Sequence, residues 1–158
     1  MNEQAIQSIV ETVVSKISPK DITLDLAQSV AQKVREKAEK MGVKAVVAIS
    51  YRAACPVLVE SMDDAYIASY DIAVQKAFTV VSLKMSTATL KPLAQPGGSL
   101  YGIQFTNGGK IVIFGGGEPL KNREGQIIGG IGVSGGTEAQ DTALAAYGKE
   151  IFEKGQYL

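Results

Sequence analysis

The sequence predicts an α+β domain built on a mainly antiparallel sheet of five strands flanked by helices, with a short separate helix in front. Two observations carry that expectation. Apolar residues recur at offsets of three and four in several stretches, the spacing of a helix face, and shorter Val- and Ile-rich runs lie between them. The links within each group of short runs span only a few residues, whereas parallel neighbours would need a crossover of about a dozen or more.

The first stretch sets Ile6, Ile9, Val10, Val13, Val14 and Ile17 on one stripe, and Ser18-Pro19-Lys20-Asp21 stops it. A helix of about sixteen residues is marginal alone in water, so the stripe is expected to lie against something. Residues 1–21 are read as amphipathic helix and linker, and 22–158 as the domain. A second helix is expected from Thr23 to Met41, with Ala27, Val30, Ala31, Val34 and Ala38 on one face and Gly42 beyond its end. Strands follow at 43–51 and 57–60. Asp63 or Asp64 then caps a long helix to about Met85, whose face carries Ile67, Val74, Phe78 and Val81. After a loop with Pro92, Pro96, Gly97 and Gly98, strands are indicated at 100–106, 110–114 and 126–133, with Asn107-Gly108-Gly109 as a hairpin turn. Thr137 and Gln140 have capping-box spacing and open the last helix.

Composition excludes several function classes. Sixteen basic and sixteen acidic residues cancel and no basic block exists, so nucleic acid is not an expected partner. Cys55 is the single cysteine, which rules out an internal disulfide and suits a reducing, cytoplasmic setting. Uninterrupted apolar runs of about eighteen residues are absent, so no membrane span is expected. Histidine is missing altogether, which removes the usual base near neutral pH and the commonest metal ligand. Ser-His-Asp, Cys-His and His-based zinc sites are thereby excluded, and no metal site is expected.

The glycine-rich C-terminal third is the expected working surface. Gly130-Ile131-Gly132-Val133-Ser134-Gly135 matches G-x-G-x-x-G at the end of a strand. A dinucleotide fold also needs a further parallel strand and an acid about twenty residues on. Only Gln156, Tyr157 and Leu158 follow the last glycine, too few for that strand, and such binding is not expected. Amide groups at Gly135, Gly136 and Thr137 could instead hold a carboxylate or phosphate at the helix start, unless Thr137 and Gln140 satisfy those donors themselves. Gly115, Gly116 and Gly117 let backbone approach a ligand or a neighbouring subunit, or else form a bulge or turn.

Two blocks resemble the GlcG/HbpS family, which includes the C-terminal half of PduO-type propanediol-utilisation proteins. Gly116-Gly117-Glu118-Pro119-Leu120, the segment Gly125 to Gly136, Glu138 to Asp141 and Gly148 are similar to its GG-x-P-[IL], G-x-x-x-GxIGVSGG, E-x-x-D and late-Gly elements. Met62-Asp63-Asp64-Ala65, Ser69 to Ala73 and Lys76-Ala77-Phe78-Thr79 resemble its MDGA, S-x-x-[IL]-A and KA-[YF]-T pattern, with Ser61 in place of the usual Arg and Asp64 in place of Gly. The resemblance implies a profilin-like sheet, homo-oligomers and, in several relatives, haem. Without histidine the conceivable iron ligands are Tyr51, Tyr66, Tyr70, Cys55 and Met62, which disfavours haem and leaves the cofactor open.

The leading helix resembles the targeting helices of bacterial microcompartment cargo, implying a shell or cargo protein as partner and the compartment lumen as location. The leading expectation is an accessory protein that binds a small molecule or cofactor, without catalysis of its own, around Lys76, Gly115, Gly116, Gly117, Ser134, Gly135, Gly136 and Thr137. One alternative is a cofactor-maintenance enzyme near haem or corrinoid, with Lys76, Asp71 or Asp141 as acid or base. The other is an oligomer that scaffolds further cargo.

Overall fold

The computed structural model describes residues 2–16 and 19–156. Helix α1 (Glu3–Lys16) comes first, then α2 (Leu24–Lys40), strands β1 (Val46–Tyr51) and β2 (Pro56–Ser61), and helices α3 (Ile67–Leu83) and α4 (Thr87–Leu93). Strands β3 (Gly117–Lys121) and β4 (Ile127–Ser134) and helix α5 (Glu138–Glu153) complete the order. The sheet is antiparallel throughout, in the order β2-β1-β4-β3. No described helix is long and apolar enough to cross a membrane.

Residue alternation along the two central strands sorts the core into two layers. Val47, Ile49, Ile131 and Val133 face α2 and α5, where Val30, Val34, Leu144 and Phe152 complete the larger apolar cluster. Val46 and Ala48 face the other way, against Ala73 and Ala77 of α3. On that face β4 carries glycine. A Cβ added at Gly132 would lie 2.0 Å from the Ala73 carbonyl oxygen, and one at Gly130 would lie 2.8 Å from that of Ala77. The dinucleotide-like glycines therefore serve helix-to-sheet contact, bringing the α3 backbone against the strand with no side chain between.

The sheet has four strands among the described residues, not five. Residues 100–106 and 110–114 form no strand; short 3₁₀ turns occupy Ile103–Phe105 and Asn107–Gly109. Ile111 and Val112 are buried nonetheless, tied to α3 where the Val112 N–H donates to Thr79 Oγ1 at 3.0 Å. The edge beside β4 goes to Gly117–Lys121, where no strand is expected from the sequence. Pro119 is tolerated because an edge strand can leave one side unpaired, and Gly117 is needed because Val80 and Thr87 crowd it. The loop expected after Met85 contains α4, capped by the Ser86 hydroxyl.

Overpacking a filled core costs about 1–3 kcal/mol and sometimes more. Gly132→Ala should destabilise by at least that range, because the group it meets is backbone, and the denaturant midpoint should fall without change in the circular-dichroism spectrum.

Candidate functional site

Close contact between α3 and β4 forces Lys76 to run past Gly132 towards Gly116. Its ammonium is wholly buried, donating to the Val133 carbonyl at 2.7 Å and to Asp141 Oδ2 at 3.0 Å. Asp141 is itself only 4% exposed. Burial pushes the Lys76 amine below the usual lysine range, and attraction to Asp141 opposes that shift. The Phe114 ring covers the ammonium with its centroid 5.0 Å away, a cation–π arrangement. Gly116 has to be glycine twice over. Its φ is +112°, and a Cβ there would meet Lys76 Nζ at 2.5 Å.

The first turn of α5 ties two loops together. Glu138 and Asp141 are three residues apart, so they share a helix face. Asp141 Oδ1 accepts the Gly136 N–H at 2.9 Å while its other oxygen holds Lys76. Glu138 repeats the arrangement nearer solvent, accepting the Gly115 N–H at 2.9 Å and Lys91 Nζ at 2.6 Å. Those bonds, Lys91 first, hold the Glu138 carboxyl below the usual carboxylate range.

Between the tied loops and the start of α3 lies a cleft of about 280 Å³, with Tyr66, Ile72 and Phe114 as its large apolar walls and Ser69 and Ser134 within it. Ser134 Oγ donates to Ser69 Oγ at 3.0 Å, and both residues are buried. A second hollow of about 460 Å³ lies across the Gly135–Gly136 turn, beside Lys44, Asp64 and Gln140. Tyr66 borders both.

The expected ligand residues thus divide. Ser134, Gly135 and Gly136 border the cleft, and Lys76 lies behind it bonded to Asp141. Gly115, Gly116 and Gly117 are buried, and their close approach is to the chain's own Thr142, Lys76 and Thr87. The amide donors expected at the turn are not free at Gly136 or Thr137: Asp141 takes the first, and Gln140 takes the second within a complete capping box. Donors satisfied by the helix's own side chains are not available to an anion, which removes these two. Asp71 is exposed and bonded to Gln75, outside the site. Sequence reading missed Phe114 and Lys91 as site residues, whose roles come from distant contacts; Glu138, Ser69 and Ile72 were visible only inside the family blocks.

The conceivable iron ligands also separate. Tyr51 and Cys55 lie at the opposite end of β1 from the turn, and Met62 Sδ already accepts the Ala45 N–H. Tyr66 borders the cleft. Among the described residues no cluster of three or more His, Cys, Asp or Glu side chains is placed to hold a metal ion.

A family model described as HbpS-like, haem degrading protein, matches residues 22–150. A 15.0 kDa protein from the dhaT-dhaS intergenic region of Citrobacter freundii is 42% identical over 117 residues, covering 74% of this chain and 82% of that protein. The corrinoid adenosyltransferase PduO of Citrobacter freundii is 40% identical over 108 residues, or 68% of this chain, and the match spans only 32% of PduO. The crystal structure of a PduOC:heme complex superposes with a TM-score of 0.77 at 35% identity, covering 82% of this chain and 94% of that one.

Removing one member of a buried ion pair costs about 3–5 kcal/mol, whereas replacing both with apolar groups is often neutral. Asp141→Ala should lose stability in that range. Lys76→Met/Asp141→Leu should recover much of it, as read by urea unfolding of both variants beside the unmodified protein.

Proposed function

The chain belongs to the HbpS-like family, and on that premise we propose that it binds a flat, largely apolar tetrapyrrole of the haem class in the cleft between Tyr66 and Phe114. The observation that carries this reading is the cleft itself, about 280 Å³ of mainly apolar space backed by a buried ion pair. Apolar walls with a few placed polar groups are the usual make-up of a cofactor pocket. The space is small for a whole macrocycle, so part of the ring would project beyond it, towards solvent or a second copy in a homo-oligomer. When bound, haem supplies redox chemistry at its iron.

The chain's own residues supply the setting. Ile72 and Phe114 exclude water from one face, and the Ser69–Ser134 pair presents hydroxyl oxygens. The Lys76–Asp141 pair and the Glu138 bonds hold the cleft's walls in register. Lys76 has no exposed surface, which favours a structural amine over an acid or base. The reading is therefore of an accessory binding protein, and the adenosyltransferase activity of the longer PduO is not assigned to it.

The leading helix completes the proposal. Ile6, Ile9, Val10 and Val13 are each between 45% and 52% exposed, forming an apolar stripe on α1. Ile17 lies outside the described residues, as does the side chain of Val14. Such a stripe suits helix-in-groove docking to a microcompartment shell or cargo protein, each buried Ile or Val contributing about 1.5–3 kcal/mol.

Titration with ferric protoporphyrin IX should give a saturable Soret shift. Ala68→Trp, which fills the cleft from an exposed position, should weaken binding at least about tenfold, or about 1.4 kcal/mol, with unchanged melting. Absence of saturable uptake by the unmodified protein defeats the reading. Ile9→Asp with Val13→Asp should release the protein from purified compartments, and continued co-purification would remove the docking role.

A further inference from the structure

We propose that the outward face of α3 is a docking surface for a second copy of this chain, with the two α3 helices packed antiparallel about Val74. The proposal does not depend on what the cleft binds. The sequence leads one to expect that α3 buries Ile67, Val74, Phe78 and Val81. Instead, the side that lies on the sheet carries Ser69, Ala73, Lys76, Ala77 and Val80. The larger apolar residues are left at or beyond the margin of that contact: Ile67 is 96% exposed and Tyr70 54%, and Val74, Phe78 and Val81 are half-buried. A helix that is apolar all round belongs in an interior, so this outward stripe calls for a cover.

Spacing, charge and area commit that cover to a second copy. Residues 67, 70, 74, 78 and 81 are three, four, four and three apart, a helix-packing stripe that reads the same from either end. Antiparallel copies centred on Val74 set Ile67 against the partner's Val81 and Tyr70 against the partner's Phe78. The two ends of the stripe differ in charge. Asp63, Asp64 and Asp71 are exposed at its start; Lys84 is exposed just past its end, where Lys110 also reaches, its Nζ 5.6 Å from the Phe78 ring centroid. The antiparallel register brings Asp64 opposite the partner's Lys84 and Asp71 towards the partner's Lys110, whereas a parallel one sets like charges together. A two-fold contact of this kind uses one patch twice. With Tyr66 at 75% exposure, the stripe offers on the order of 500 Å² of mostly apolar surface, taking about 200 Å² for a whole large side chain. That is what an interface needs, since a standard one takes about 800 Å² from each partner and about 65% of it is apolar in homodimers.

The test is sedimentation velocity of the full chain over a concentration series, beside Ile67→Asp/Tyr70→Asp, Asp64→Lys, Lys84→Asp and the exchanged pair Asp64→Lys/Lys84→Asp. Expected is a dimer, or an assembly of dimers, for the unmodified protein, with association weakened at least about a hundredfold in Ile67→Asp/Tyr70→Asp. Both side chains are exposed, so the circular-dichroism spectrum should not change. Asp64 and Lys84 share left-handed backbone, with φ of +66° and +57°, so each position already holds a residue in the conformation its replacement must adopt. Either charge change alone should weaken association, and the exchanged pair should recover it. An unmodified protein that stays monomeric, or a dimer that Ile67→Asp/Tyr70→Asp leaves intact, overturns the proposal. Dissociation by Ile9→Asp/Val13→Asp and not by Ile67→Asp/Tyr70→Asp assigns the contact to α1 and overturns it too. Failure of the exchanged pair to recover association overturns the antiparallel register.

Discussion

A lysine with no exposed surface can stay in a protein only if its ammonium is matched, and the Lys76–Asp141 pair meets that demand. Three elements converge on it: α3 supplies the lysine, β4 the Val133 carbonyl and α5 the carboxylate. The fourth neighbour is defined by what it lacks, since Gly116 leaves room for the ammonium where a methyl group would collide. Because Asp141 also holds Gly136, the pair joins the packed interior to the rim of the cleft. Burial makes this connection stiff, for a low-dielectric pair is poorly screened and each partner is costly to leave alone.

Around that pair the protein builds close contact from small residues. Glycines at 130 and 132 and alanines at 73 and 77 let α3 lie directly on the sheet, while the opposite face is filled with Val, Ile, Leu and Phe. The asymmetry has a consequence for function. The helix drawn tight against the strand begins beside the cleft, which opens between Tyr66 and Phe114. The face of α5 that carries Glu138 and Asp141, and so anchors Gly115 and Gly136, borders it as well.

Where the sequence misled, the causes are physical. Leu100, Ile103 and Phe105 look like a strand because local pattern cannot say whether an edge is available to pair with, and Gly117–Lys121 occupies the edge beside β4. Gly115-Gly116-Gly117 looks like a ligand cradle because absent side chains invite any close neighbour; here the neighbours are Thr142, Lys76 and Thr87. The capping box was legible, since Thr137 and Gln140 lie within one turn, and it occupies the Thr137 amide that would otherwise serve an anion. Phe114 and Lys91 gave no local signal, being drawn to Lys76 and Glu138 from far along the chain.

By itself the sequence determined four of the five described α-helices, the Thr137–Gln140 capping box, the central strands, the family blocks and the exclusion of imidazole chemistry, all of which depend on residue type or on neighbours within a turn or two; α4 escaped it, and α3 starts at Tyr66 without the side-chain cap expected from Asp63 or Asp64. Only the tertiary structure decided which glycines face α3, which strand takes the edge, and that Lys76 is matched by Asp141 sixty-five residues away. The difference is one of range: capping and periodicity are local, whereas burial and charge pairing depend on partners that come together only when the chain has folded.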